Sequence, residues 1–91
     1  MFLIYFLSPH ERWRRFCERN REFQRARRRW LRQTPGTPEE RAAGRELSRI
    51  RKKLHRLGAS LGMAEVATEL LLPREFRSRG TPPIPRWILA R

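Results

Sequence analysis

Between residues 11 and 33 the apolar and basic positions separate onto two sides of a helix. Trp13, Phe16, Asn20, Phe23, Arg27 and Trp30 recur at steps of 3, 4, 3, 4 and 3, which at 100° per residue draws one narrow seam. Arg14, Arg21, Arg25, Arg28 and Arg32 recur at 7, 4, 3 and 4 on roughly the opposite side. Asn20 and Arg27 interrupt the seam; they either snorkel to its edge or mark contact with another molecule. A second pattern follows. Ala43, Leu47, Ile50, Leu54, Leu57 and Leu61 step by 4, 3, 4, 3 and 4, and Arg41, Arg45, Arg49, Lys52 and Arg56 form the stripe opposite.

The same start signal stands before both patterns. Ser8-Pro9-His10-Glu11 and Thr37-Pro38-Glu39-Glu40 each offer a hydroxyl cap, a proline at the first helical position and a glutamate at the third. Thr34-Pro35-Gly36 between them is a turn. The first helix is expected to run to about Gln33. An antiparallel hairpin follows, in a register that pairs positions whose numbers sum to about 73 or 74. Trp30 then lies over Ala43, Phe23 over Ile50, Phe16 over Leu57 and Trp13 near Leu61, so that the largest ring meets a small partner.

The ends have a different character. Residues 1–7 are an apolar run, too short to span a membrane as a helix. They lack the basic flank and small-residue cleavage site of a secretory signal. They are expected either to fold back on the helices or to dock on a neighbouring protein, with insertion into a membrane the least favoured alternative. Gly58-Ala59-Ser60-Leu61-Gly62 weakens the second helix, which kinks or ends there, and residues 63–72 read as a further short helix that Pro73 stops. Residues 73–91 hold four of the seven prolines and five arginines. Pro82-Pro83-Ile84-Pro85 is expected to be extended with polyproline character, and Trp87, Ile88 and Leu89 to form a terminal apolar hook. The expected fold is all-α. An apolar segment (1–7) precedes a basic helical hairpin (8–72) with room for a third short helix, and an extended Pro/Arg-rich tail (73–91) follows.

Composition sharpens this reading. Twenty-two Lys and Arg stand against nine glutamates, a net charge of +13. A GC-rich genome would explain Arg over Lys, but not the excess of basic over acidic side chains. A sequence pI near 11.8 points to a polyanion, nucleic acid first and anionic membrane second. Nothing supports catalysis: there is no Asp, His10 and His55 are far apart in sequence, and no phosphate loop, nucleophile elbow or metal-spaced cluster appears. No cofactor, metal or small-molecule substrate is expected. Cys17 is the one cysteine and reads as a small buried hydrophobe. A helix-turn-helix over residues 54–71 fits the expected small-residue spacing only loosely.

A hairpin body with basic extensions resembles, in general character, the small Arg-rich helical ribosomal proteins, with no shared motif to carry residues across. The resulting expectation is a structural RNA-binding protein of a large ribonucleoprotein, in a ribosome and by preference a mitochondrial one. Arg14, Arg21, Arg25, Arg28, Arg32, Arg45, Arg49, Lys52, Arg56, Arg77, Arg79 and Arg86 would contact rRNA phosphates, because the arginine fork engages phosphate bidentately. Residues 1–7 and Trp87, Ile88 and Leu89 would fasten to neighbouring proteins. The alternatives are a non-catalytic interaction subunit of another large complex, such as a respiratory membrane assembly, and a small DNA-binding regulator.

Overall fold

A computed structural model describes residues 7–70 and 81–89. The expectations for residues 1–6, for residues 71–80 and for the last two positions lie outside the described residues. The described chain holds four helices in order: α1 (Pro9–Leu31), α2 (Pro38–Ser60), α3 (Glu65–Thr68) and α4 (Arg86–Leu89). α1 and α2 are the long arms of an antiparallel hairpin.

Both start signals act as their chemistry dictates. Ser8 Oγ accepts the Glu11 amide at 3.1 Å, and Thr37 Oγ1 accepts the Glu40 amide at 3.1 Å. Each hydroxyl satisfies one of the amides that a helix start leaves without a partner. α1 stops at Leu31, two residues before the expected end. The intervening turn runs through Gly36 at φ +84°, a left-handed conformation that favours glycine. Glu40 binds this turn to the first helix: its carboxylate accepts the Trp30 indole N–H at 2.8 Å and the Gly36 amide at 3.3 Å.

The seams meet as expected. Trp13, Phe16, Phe23, Leu47, Ile50, Leu54, Leu57 and Leu61 are all buried. Phe16 Cε1 lies close against Gly58, the Arg51 guanidinium stands 5.6 Å over the Phe23 ring, and the Trp30 indole packs on Gly44. The numbers of each pair sum to 74. Gly44 is therefore the small residue that admits the Trp30 ring, one position beyond the expected Ala43.

Arg27 departs from its expected place. It is exposed, while Gln24 and Ala26 beside it are buried. The buried surface of α1 is broader than one stripe because two different layers cover it. Phe16, Phe23, Ala26 and Trp30 turn toward α2. Trp13, Asn20 and Gln24 turn toward the chain that returns after α2.

α2 ends at Ser60. Gly62 takes φ +81°, its amide donates to the Ala59 carbonyl at 3.0 Å, and the Met63 amide donates to the Gly58 carbonyl at 2.9 Å. This pair of bonds is the glycine-based stop that closes helix C-termini. Of the helix expected over residues 63–72, the described part, residues 63–70, holds the single turn of α3, with residues 69 and 70 in a turn and bend.

The return segment is fixed by polar side chains. Asn20 Nδ2 donates to the Thr68 carbonyl at 2.8 Å and to the Leu70 carbonyl at 3.0 Å. Gln24 Nε2 donates to the Glu69 carbonyl at 3.0 Å. From α2, His55 Nε2 hydrogen-bonds the Glu69 carboxylate and Arg51 Nε ion-pairs with it at 3.4 Å. Asn20 thus neither snorkels nor waits for another molecule: it binds this chain's own backbone.

The tail returns to the open end of the hairpin. Trp13 Nε1 donates to the Pro82 carbonyl at 2.7 Å, Pro82 and Ile88 are buried, and Ile84 packs on the core. Residues 81–85 carry neither helix nor strand, and α4 follows as one turn. Of the expected apolar hook only Ile88 points inward; Trp87 and Leu89 are exposed.

Candidate nucleic-acid interface

The geometry of the hairpin decides where the cationic stripes look. Each stripe stands opposite its own seam, and the seams face each other. The residues of α1 that meet α2 are Arg12, Phe16, Phe23, Ala26 and Trp30. At 100° per residue, Arg14, Arg21, Arg25, Arg28 and Arg32 lie within about 40° of the opposite direction. On α2 the same construction sets Arg41, Arg45, Lys52 and Arg56 within about 40° of the direction away from α1, and Arg49 about 60° from it. The two stripes look outward from the hairpin, except that Arg14 and Arg56 reach its edge and line one groove between the helices.

Their members are not equally available. Arg25, Arg28 and Arg32 on α1, and Arg45, Lys52 and Arg56 on α2, are exposed and have no acidic partner among the described residues. Arg49 pairs with Glu46 at 3.3 Å. Arg14 is held by both Glu11 and Glu18. The hydrogen bond from Arg14 is the main cause that holds the Glu11 carboxyl down at about 2. An arginine with two glutamates of its own has little net charge left to offer. Arg21 is half-buried and engaged within the chain. Arg86 is exposed on α4. Arg77 and Arg79 lie outside the described residues.

Two grooves add cations that the stripe pattern did not name. A groove of about 470 Å³ opens between the helices and is lined by Arg14, Arg15, Glu18, Arg19, Lys53, Arg56 and Leu57. A broader one, about 880 Å³, runs along α2 over Arg41, Arg45, Arg49, Arg51, Lys52, Lys53 and Arg56, with Trp30 and Glu40 at its loop end. Arg15, Arg19 and Lys53 flank the seams, where a search for residues opposite the seam passes over them. Their signal is the i, i+4 step from Arg15 to Arg19, which shows only once the register sets it beside Lys53.

The remaining reactive groups are held. Cys17 is fully buried, and burial pushes its thiol up to about 12, so it keeps its proton at neutral pH. His55 is bonded to Glu69. Among the described residues no helix is long and apolar enough to cross a membrane, and no group of side chains has the composition to hold a metal ion. Comparison of the chain with protein-family models, with curated proteins and with solved structures finds no match.

Proposed function

We propose that this chain is a structural RNA-binding component of a large ribonucleoprotein, a small ribosomal protein of the mitochondrial kind, which lays arginine-rich helix faces on rRNA phosphates. The observation that carries the reading is the set of six outward side chains, Arg25, Arg28, Arg32, Arg45, Lys52 and Arg56, that have no acidic partner among the described residues. Cations spaced by a turn or two of helix match the repeat of charge along a nucleic-acid backbone and supply affinity and register with little sequence information. The buried seam, the returning segment and the docked tail hold the helices rigid, so that little ordering is left to be done on binding. Trp87 and Leu89, exposed on α4, offer a contact for a neighbouring protein.

The test is to isolate the native particle through a tag on this chain. The reading expects rRNA in the particle, and release of the chain when RNA is digested by nuclease. A nuclease-resistant assembly of proteins alone, with the tagged chain still bound, would contradict it.

A further inference from the structure

Resting on the RNA-binding reading, we infer that the hairpin is a bridge: α1 and α2 each seat a different RNA segment, and the protein holds two RNA helices side by side. The two free cationic triplets, Arg25, Arg28 and Arg32 on α1 and Arg45, Lys52 and Arg56 on α2, stand on opposite outer faces, because each lies opposite a seam and the seams are packed together. Packed helices have axes about 8–10 Å apart, and side chains extend each beyond that, so the two charged surfaces are separated by about 20 Å of protein. A rigid duplex lies against one outer face at a time. If one duplex were the whole ligand, half of the free charge would be left in solvent.

The two flanks of the hairpin differ. On one side the two faces are separated by the return segment, where Asn20, Gln24, His55 and Arg51 are committed to holding residues 68–70. On the other side the Arg29–Glu46 pair at 3.9 Å and the Arg49–Glu46 pair bring a carboxylate between the helices. Glu46 is shared by two arginines and the groove between the helices is lined by Arg14, Arg15, Arg19, Lys53 and Arg56, so the division rests on the distance between the two triplets and not on repulsion between them.

The experiment uses the full chain and two short RNA duplexes of unrelated sequence, one carrying a donor dye and the other an acceptor. In excess RNA the wild type is expected to form complexes of one chain with two duplexes, by sedimentation, and to bring the dyes together. Two triple variants separate the faces: Arg25→Gln, Arg28→Gln and Arg32→Gln in one, Arg45→Gln, Lys52→Gln and Arg56→Gln in the other. Gln is a fair helix former, and an unchanged helical circular dichroism spectrum confirms that each variant is folded. Each is expected to keep binding one duplex and to lose energy transfer. A wild type that binds one duplex per chain with no energy transfer overturns the bridge and leaves the RNA-binding reading standing. So does energy transfer from complexes of two chains with two duplexes, or loss of all binding in one triple variant with none in the other. A wild type that binds no RNA at low salt, or that anionic vesicles strip from the duplex, overturns both.

Discussion

The indole of Trp13 donates to the carbonyl of Pro82 at 2.7 Å, joining the second turn of α1 to a tail residue 69 positions later. Both partners are buried, so neither can turn to water instead. Trp13→Phe keeps most of the ring and leaves the carbonyl without its donor, a loss of about 1–3 kcal/mol. The expected result is faster hydrogen exchange at the Ile88 amide of α4, which donates to the Pro85 carbonyl, with α1 and α2 amides little changed. Unchanged protection at Ile88 would show that the tail is held by other contacts.

Asn20 should behave against the rule for helix seams. Replacing a polar seam residue by leucine ordinarily favours packing. Here the Asn20 amide satisfies the carbonyls of Thr68 and Leu70. Asn20→Leu removes both bonds and is expected to destabilise by about 2 kcal/mol or more. Chemical denaturation measures it, and a rise in the midpoint would contradict the assignment.

Gly58 sits where α3 crosses α2. A Cβ built there would stand 2.1 Å from Thr68 Cγ2 and 3.2 Å from Thr68 Cβ. Gly58→Ala would gain about 1 kcal/mol of helix propensity in open space. Under Thr68 it is expected to destabilise, because the clash pushes the return segment off. Thr68→Ser removes the offending methyl, so the double variant should recover part of the loss. The coupling energy is expected at about 1 kcal/mol in a double-mutant cycle; additive effects would contradict the contact.

The hairpin was legible because its signals are local and repeated: Ser8 and Thr37 cap, Pro9 and Pro38 open, and two apolar series carry one period. The third layer was not legible for a physical reason. Asn20, Gln24 and Trp13 all bind backbone carbonyls, and any residue type supplies a carbonyl. Side-chain patterns therefore give no hint of the partner. A single stripe places Arg27 inside and leaves out Gln24 and Ala26, because two layers meet on α1 where one period describes only one of them. Within the candidate interface, the stripes were readable from periodicity, but their opposite directions follow only from the packed seams. The pairing that weakens Arg14 depends on side-chain geometry that spacing alone does not fix, although Glu11 and Glu18 stand at the helical spacings of 3 and 4.

Acid should loosen the hairpin through its caps and turn. The Glu40 carboxyl is held below its ordinary value, first by the Trp30 indole and then by the Gly36 amide; Arg14, through its hydrogen bond, does the same for Glu11. A carboxyl with a folded value below its unfolded one adds stability that is present above the unfolded value, about 4.3. That stability is lost as pH falls through the folded value. The melting temperature is expected to be flat from pH 7 to about 5 and to fall below about 4. Glu40→Gln, which cannot ionise, should fall less steeply. Equal steepness in both proteins would remove Glu40 from the account.

The central claim is that the outward arginines meet RNA phosphates, and a salt titration of RNA binding tests it most directly. On one duplex, seated on the three free cations of one face, log affinity should fall against log salt with a slope near −2 to −3, and on RNA that engages both faces, about six phosphates, with a slope near −4 to −5. Arg25→Gln with Arg28→Gln should flatten that slope by about one to two units and weaken binding similarly on unrelated RNA sequences. An unchanged slope in the double variant would mean that the α1 face meets solvent or protein, and would contradict the claim.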